Sequence, residues 1–303
     1  MIINELGHIQ SDLYILGHIE CPIYLLDGPQ PVVIDAGLSC LGGLYLQSIQ
    51  SVLGGRQPAA LFLSHVHWDH CGSVSYLKKA FPNMKIAASK TAADILKRPN
   101  AVALIKSLNE NFAASMRALP GIDSSIFIDD HFVPFEIDME LHDHGSFDMS
   151  GGRRIESLAT PGHTQDHFSF WLPDEKILLA GEAAGVHYGP GIVSTEFASD
   201  YEAYLSSLKR LADLPTEVFC QGHYGYLDDH EEVRAFFDLS IASTTGFKAR
   251  VAELLAEESG SIDRVALRVK QERYDTIPDP KQPEPAYLLN LRAQIKHLAA
   301  KVQ

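Results

Sequence analysis

The chain has few cysteines for its length, and they are scattered. Its 303 residues include only four, and no two of them lie close together in the sequence: Cys21, Cys40, Cys71 and Cys220. This spacing predicts neither a disulfide framework nor a cysteine-based zinc site, and it favours a reducing compartment.

Positive charge is also scarce. Lysine and arginine total 25 against 39 aspartates and glutamates, so the formal net charge is −14. Proteins that bind nucleic acids usually contact phosphates through clustered basic side chains. The basic pairs Lys78-Lys79 and Lys97-Arg98 are short and typical of solvated helix faces. We therefore expect no nucleic-acid partner.

The sequence has no apolar run long enough to predict a membrane span. Residues 1–17 lack the basic region and apolar core of a secretory signal. We expect a cytoplasmic protein with no membrane partner. With 46% hydrophobic residues, the chain can form one large α/β unit plus an accessory part.

What the chain does contain is a dense group of potential metal ligands at residues 65–70, with the sequence HVHWDH. The apolar run Ala60–Leu63 before it predicts a buried strand, and we expect a helix to begin at residues 71–73. The group would then occupy a strand-to-helix loop. One tetrahedral ion could not take all four side chains from so short a loop, but two adjacent ions could share them.

Three further polar residues each follow a predicted strand. His163 comes after the strand at 155–159, Glu182 after 177–179 and His223 after 218–220, each with a glycine beside it. A lone histidine or glutamate is usually an ordinary structural or solvated residue. Their joint placement beside glycines, which allow close backbone approach, predicts a shared metal site.

The order HxHxDH, TPGH, AGE and GH resembles the metallo-β-lactamase superfamily over roughly residues 1–225. The segment VIDAG at 33–37 is similar to the family's strand-ending Asp-Gly motif, which supports the metal loop. The chain resembles more closely the quinolone-signal response thioesterase of bacterial quorum sensing, in its length, its helical insertion, its His163-x-x-x-His167 spacing and its helical C-terminus. His167 would either orient a ligand or be a structural residue.

The resemblance implies an α/β fold, a four-layer αββα sandwich at residues 1–226 with a helical insertion at about 90–120. A helical extension would occupy residues 227–303. The cofactors would be two divalent metal ions, zinc first, with iron or manganese also compatible. The implied ligands are His65, His67 and His163 for one ion, and Asp69, His70 and His223 for the other. Glu182 stands where most relatives have a bridging Asp, and we expect it to coordinate.

Local patterns predict the remaining elements. Short strands are expected at Leu13–Leu16, Ile23–Leu26 and Val32–Ile34, and a helix at Leu41–Leu53. An apolar stripe between 101 and 116 either packs in the core or covers the site as a lid. Helices are expected at Asp228–Glu258 and Pro285–Val302, joined through a proline-rich connector at 276–283. Their apolar residues would pack on the sandwich or form a homodimer, and they include Leu254, Leu255, Leu288, Leu289 and Leu291.

The expected activity is hydrolysis. Two ions would lower the pKa of a shared water to about 7, and the resulting hydroxide would attack a carbonyl carbon. Asp69 would orient this nucleophile and shuttle a proton. No other motif residue is an obvious acid for the leaving group, so a thiolate leaving group is favoured over an amine. We expect a small acyl thioester or activated ester as substrate.

The sequence leaves several alternative functions open. A lactonase would use the same ions, and an iron-dependent oxygenase would need a redox-active ion. A flavin-linked diiron reductase is disfavoured, because those relatives have Glu at the position of His67 and add a flavodoxin domain. The chain could also be a regulatory effector whose metal site is structural and whose C-terminal helices bind a partner.

Overall fold

Two β-sheets face each other in the computed structural model, which describes residues 1–117, 123–129, 131–189, 191–277, 281 and 284–302. Within these residues the first sheet has seven strands, side by side in chain order. The strands are β1 (Gly7–Gln10), β2 (Leu13–His18), β3 (Cys21–Leu26), β4 (Val32–Ile34), β5 (Ala60–Phe62), β6 (Lys85–Ser89) and β7 (Met139–Leu141).

The second sheet has six strands in the described residues, in the order β15-β14-β11-β10-β9-β8. A separate hairpin, β12–β13, lies beside it. The bounds are β8 (Gly145–Asp148), β9 (Arg154–Ala159), β10 (Phe168–Leu172), β11 (Ile177–Gly181), β12 (Val186–Gly189), β13 (Ile192–Ser194), β14 (Val218–Gln221) and β15 (Tyr226–Leu227).

Each sheet combines antiparallel hairpins with parallel pairs, which need crossover connections. Strands β4, β5, β6 and β7 run parallel to one another, and β11 runs parallel to β14. Helices supply these crossovers: α1 (Gly42–Leu53), α2 (Trp68–Cys71), α3 (Val74–Ala80), α4 (Lys90–Leu96), α5 (Pro99–Arg117) and α6 (Tyr201–Ala212).

The C-terminal part is helical, with α7 (His230–Glu257), α8 (Ile262–Val269), a π-helical turn at Lys270–Tyr274 and α9 (Glu284–Val302). Leu254, Leu255 and Leu291 are buried in the same apolar cluster as the second sheet, so these predicted apolar positions pack on the sandwich. In the part of the chain that the structure describes, no helix has both the length and the hydropathy needed to cross a membrane.

Three apolar clusters separate four layers. One lies between α1, α3, α4, α5 and the outer face of the first sheet, one between the two sheets, and one between the second sheet and α6 to α9. This arrangement confirms the predicted αββα sandwich and its helical C-terminal region. The strands alternate their side chains between two buried faces, which explains why β3, β10 and β11 are apolar at nearly every position.

Two expectations about local structure need correction. The helix expected at residues 71–73 begins earlier, because the backbone stays extended only to His67 and α2 starts at Trp68. Helix α8 was not among the predicted helical blocks. Residues 118–120 of the predicted insertion and residues 278–280, 282 and 283 of the predicted connector lie outside the described residues, as does the side chain of Met116 from the apolar stripe.

Candidate metal centre

One carboxylate fixes the loop that carries the HVHWDH run. Asp35 follows β4 and has a positive φ of 62°, which directs its side chain toward the end of β5. It accepts hydrogen bonds from the Ser64 backbone N–H at 2.7 Å and the Ser64 hydroxyl at 2.8 Å. It also pairs with His70 Nδ1 at 2.8 Å. Asp35 therefore sets both the start of the loop and the orientation of the His70 ring.

The first group of candidate ligands contains His65, His67, His163 and Glu182, whose ligand atoms all lie within 4.8 Å of one another. Glu182 Oε2 is 2.9 Å from His163 Nε2 and 3.2 Å from His65 Nε2. His67 Nδ1 is 3.0 Å from His163 Nε2. Side chains from three separate segments thus converge on one point.

The second group consists of His70, Glu182 and His223, so it shares Glu182 with the first. Glu182 Oε2 is 3.4 Å from His70 Nε2, and Glu182 Oε1 is 3.3 Å from His223 Nε2. His223 Nε2 is also 3.6 Å from Asp69 Oδ2. The Glu182 carboxylate therefore lies between the two sets of candidate ligands and contacts both.

Several of these atoms are buried without a hydrogen-bond partner in the described residues. They are His65 Nε2, His70 Nε2 and Glu182 Oε2. A buried polar atom left unpaired costs roughly 1–3 kcal/mol, so a cluster of such atoms needs an explanation. Imidazole nitrogens and carboxylate oxygens are ligands that zinc, iron and manganese accept. The residues present therefore fit one or two divalent ions.

Hydrogen bonds on the far side of each ring hold these histidines in place. His223 Nδ1 donates to the Glu20 carbonyl at 2.6 Å, and His163 Nδ1 donates to the Glu196 carbonyl. His65 Nδ1 contacts the Ser64 hydroxyl at 3.0 Å. These partners fix the tautomer in which Nε2 faces the centre, as supporting groups around metal sites commonly do.

His167 orients a candidate ligand and is not itself in either ligand group. Its Nε2 accepts the backbone N–H of Glu182 at 3.2 Å, and its Nδ1 contacts the Thr160 hydroxyl at 2.8 Å. Burial holds the pKa of His167 well below its ordinary value, so the ring is neutral and Nε2 can accept. Of the two interpretations open from the sequence, the structure supports the orienting one.

The pKa values of the candidate ligands shift in both directions. Burial lowers those of His65 and His67, whereas neighbouring side chains, Glu182 among them, outweigh burial and raise those of His70, His163 and His223. Burial alone would raise the pKa of Glu182, but the surrounding imidazoles, His163 first, hold it well below its usual range. Burial lowers the pKa of His67 to about 3, so this ring is neutral, as a metal ligand must be. Burial raises the pKa of the Asp69 carboxyl.

Two cavities reach the centre. One, of about 30 Å³, is lined by Asp69, Glu182 and His223, with four aromatic residues in its wall: Trp68, Phe112, Tyr188 and Tyr224. The other, of about 110 Å³, extends outward from His67 and Asp69 between α5 and α9. Its apolar wall consists of Leu104, Ile105, Leu108, Ala286 and Leu289. Asp69 and Glu182 line both cavities.

The structure adds residues that motif reading missed. Asp166 accepts the backbone N–H of Val66 at 2.9 Å and so supports the middle of the metal loop. Glu20 and Glu196 act through their backbone carbonyls. Cys21 lies beside Asp69 and His223. Only Asp166 carried a signal, since it stands between His163 and His167; the others depend on strand pairing. His142 and His144 are mostly exposed and lie in neither ligand group.

Comparison with known sequences decides the family. Residues 17–223 match the metallo-beta-lactamase superfamily. The chain belongs to this superfamily. The matched range contains every predicted ligand, from His65 to His223, together with Asp35.

This superfamily member is similar to three curated proteins from different organisms. It is 25% identical over 230 residues to the beta-lactamase-like protein 2 homolog of Caenorhabditis elegans, covering 71% of this chain and 61% of the relative. It is 30% identical over 178 residues to the hydroxyacylglutathione hydrolase GloC of Haemophilus influenzae, covering 58% and 73%. It is 21% identical over 222 residues to the atrochrysone carboxyl ACP thioesterase of Aspergillus fumigatus, covering 73% and 53%.

The match thus spans less than two thirds of the nematode and fungal relatives. Among solved structures, the metallo-beta-lactamase family protein TTHA1429 of Thermus thermophilus aligns with a TM-score of 0.67 at 21% identity, covering 97% of this chain and 95% of that one. That likeness supports the fold of the superfamily. The closer resemblance to the quinolone-signal response thioesterase is not confirmed and stays a prediction.

Proposed function

We propose that this chain is a dinuclear metal-dependent hydrolase that acts on a small acyl thioester or ester. The observation that carries the proposal is the position of Glu182. Its two carboxylate oxygens lie between His65 and His163 on one side and His70 and His223 on the other, at 2.9–3.4 Å. A carboxylate so placed can bridge two ions.

The ligand sets proposed are those expected from the sequence. His65, His67 and His163 would hold one ion, and Asp69, His70 and His223 the other, with Glu182 shared. The additional methylene of Glu182, relative to Asp, is accommodated by Gly222, whose Cα would carry any Cβ only 3.3 Å from Glu182 Cγ. Zinc is the first candidate, with iron or manganese compatible with the same ligands.

Bound ions of this kind activate water near neutral pH and polarise the carbonyl oxygen of a substrate. The protein's own residues would do the rest. His167 holds the Glu182 backbone, and Asp35 holds the His70 ring. Asp69 lies where both cavities meet, so its carboxylate is placed to orient the attacking water and to accept a proton at Oδ. We assign it the catalytic role.

The substrate class follows from the cavities and from the relatives. Aromatic side chains line one cavity and leucines the other, which suits a small apolar acyl group. The curated names of two relatives, a hydroxyacylglutathione hydrolase and an acyl-carrier-protein thioesterase, denote thioester cleavage. A thiolate leaving group also needs less protonation than an amine, because the reference pKa of a thiol is about 8.5.

The test is turnover on a panel of aromatic and aliphatic acyl thioesters, esters and lactones, using wild type and His67→Ala. We expect metal-dependent thioester hydrolysis that His67→Ala abolishes while circular dichroism stays unchanged. His142→Ala is the matched control, because His142 is exposed and in neither ligand group. Wild-type turnover in His67→Ala would refute the mechanism. Turnover on lactones alone would replace the thioesterase assignment with a lactonase.

A further inference from the structure

A cysteine lies at the edge of the second ligand group. Cys21 opens β3, and its Sγ belongs to a group with Asp69 and His223 in which all ligand atoms lie within 4.8 Å of one another. The side chain is buried, with 4% of the residue exposed. Among the described residues, Cys40, Cys71 and Cys220 are also buried but belong to no such group.

The position of Cys21 relative to His223 is fixed by the backbone. The turn between β2 and β3 packs directly on the loop that carries His223. His223 Nδ1 donates to the Glu20 carbonyl at 2.6 Å, and the Tyr224 N–H donates to the Ile19 carbonyl at 2.9 Å. On the other side, the Tyr45 hydroxyl donates to the Cys21 carbonyl at 2.8 Å. The approach of Sγ to His223 therefore follows from the packing of this turn on the His223 loop.

Two buried atoms of the neighbouring ligand group are unpaired. His70 Nε2 and Glu182 Oε2 have no hydrogen-bond partner in the described residues. They belong to the group of His70, Glu182 and His223, which has His223 in common with the group of Cys21, Asp69 and His223. Two donors around one ion are separated by at most about twice the metal–ligand distance of 2.0–2.3 Å. That bound is about 4.0–4.6 Å. The 4.8 Å within which Cys21 Sγ lies of the Asp69 and His223 ligand atoms exceeds it by only a few tenths of an ångström.

We propose that Cys21 is a further ligand of the ion that Asp69, His70 and His223 would hold, bound as the thiolate after release of its proton to solvent. The inference rests on the dinuclear centre proposed above. A sulfur ligand would occupy a coordination position facing the cavity with the four aromatic residues in its wall, because Cys21 lines that cavity with Asp69. It would also bias this position toward zinc over manganese, since thiolates are soft ligands.

The experiment uses the full chain, freed of metal and titrated with Co²⁺, which reports sulfur ligation through a thiolate-to-cobalt charge-transfer absorption band. We expect this band to appear in wild type as the sites fill, to disappear in Cys21→Ser, and to persist in Cys40→Ser. Cys40 is the matched control, because it is buried and has no candidate ligand group. In Cys21→Ser, the affinity for the more weakly bound of the two zinc ions should fall at least about tenfold.

A second measurement needs no variant. X-ray absorption of the zinc-loaded wild type should fit a sulfur neighbour at about 2.3 Å in addition to nitrogen and oxygen. Two ions bound with neither the band nor the sulfur neighbour would overturn the inference and leave the dinuclear centre standing. A band retained in Cys21→Ser would also overturn it. Failure to bind a second ion would overturn both the inference and the centre.

Discussion

At the scale of single residues, Glu182 departs most from the family pattern. Its backbone is held in an unusual position: Gly181 has a φ of +54°, and a Cβ there would lie 2.7 Å from His167 Nε2. A side chain at Gly222 would crowd His70 Cε1 at 3.2 Å. Small residues on both sides therefore let the longer carboxylate arm fit between the two ligand groups.

Glu182→Gln should lose the second ion. The amide keeps the size of the side chain but removes the negative charge, and it presents only one oxygen as a ligand. We expect the metal content to fall from two ions per chain toward one and thioester turnover to drop at least about 100-fold. Elemental analysis of the desalted variant measures its metal content. The control is Glu156→Gln, on β9 and outside both ligand groups. Two tightly bound ions in Glu182→Gln would contradict the bridging role.

Asp35→Asn tests the support of the loop. Asn tolerates the positive φ at this position, so the backbone should persist. The hydrogen bond to His70 Nδ1 would lose its charge, and metal affinity should fall about 10- to 100-fold. Zinc titration against a chromophoric chelator gives the affinity. Asp12→Asn, at an exposed position, should bind zinc like wild type. Unchanged affinity in Asp35→Asn would show that Asp35 serves the fold alone.

Ligand types and order could be predicted from the sequence, since each candidate stood after a strand beside a glycine. The supporting groups could not. Glu20 and Glu196 act through backbone carbonyls, which any residue possesses, and only the packing of β3 and β13 brings them to His223 and His163. Cys21 could not be predicted as a ligand either, because it lies 48 positions before Asp69 in the chain and only the fold brings the two together.

At the scale of elements, α5 and α9 form the two apolar walls of the cavity that extends outward from His67 and Asp69. The sequence predicted a helical stripe at this position but left open whether it was core or lid. Ile105 and Phe112 are buried in the core, whereas Leu104 is 53% exposed and lines the cavity. A role of α5 as a lid stays a prediction. A stripe of apolar residues indicates a packed face, but the orientation of α5 relative to α9 depends on tertiary contacts.

Truncating these walls should weaken selection of longer acyl groups. Leu108→Ala and Leu289→Ala each remove apolar contact area, worth about 1 kcal/mol or about fivefold in kcat/KM for a long acyl chain. Acetyl thioesters, which are too short to reach the walls, should be hydrolysed unchanged. Leu267→Ala is the control, since Leu267 is 55% exposed on α8 and lies in no wall of this cavity. An equal loss for short and long substrates would refute a role in substrate selection.

Helix α8 shows where prediction from pattern stops at this scale. It has only eight residues, and its N-terminal Ser261 makes no capping hydrogen bond through its side chain. Its burial through Val265, Ala266 and Val269 is against α7 and α9, so tertiary packing stabilises it more than local preference does.

At the scale of the whole molecule, removing metal should destabilise the fold. The centre joins both sheets: His65 and His70 follow β5 of the first, and Glu182 and His223 follow β11 and β14 of the second. An ion present at about 1,000 times its Kd contributes about 4 kcal/mol to the folded state. Treatment with a chelator should therefore lower Tm by roughly 5–10 °C, and added zinc should restore it.

Differential scanning calorimetry measures this change. The Glu182→Gln variant is the comparison for wild type. Because it should already have lost one ion, its Tm should fall less than that of wild type when the chelator is added. An identical Tm before and after chelation would mean that the buried polar atoms of the centre are stabilised without an ion.

The layered fold was predictable as a whole because strands and helices alternate and because the motif order is that of a known superfamily. A homodimer through the C-terminal helices and a cytoplasmic location stay predictions. The leucines that suggested a dimer are largely accounted for, since Leu254, Leu255 and Leu291 pack within the chain.

The proposed dinuclear centre and its thioesterase activity can be tested together. The measurement is elemental analysis of the purified chain, paired with hydrolysis of aromatic acyl thioesters by the same sample. We expect two divalent ions per chain and turnover that falls with the metal content. One ion or none, with no turnover after metal is supplied, would contradict the proposal and favour a regulatory protein that binds a partner.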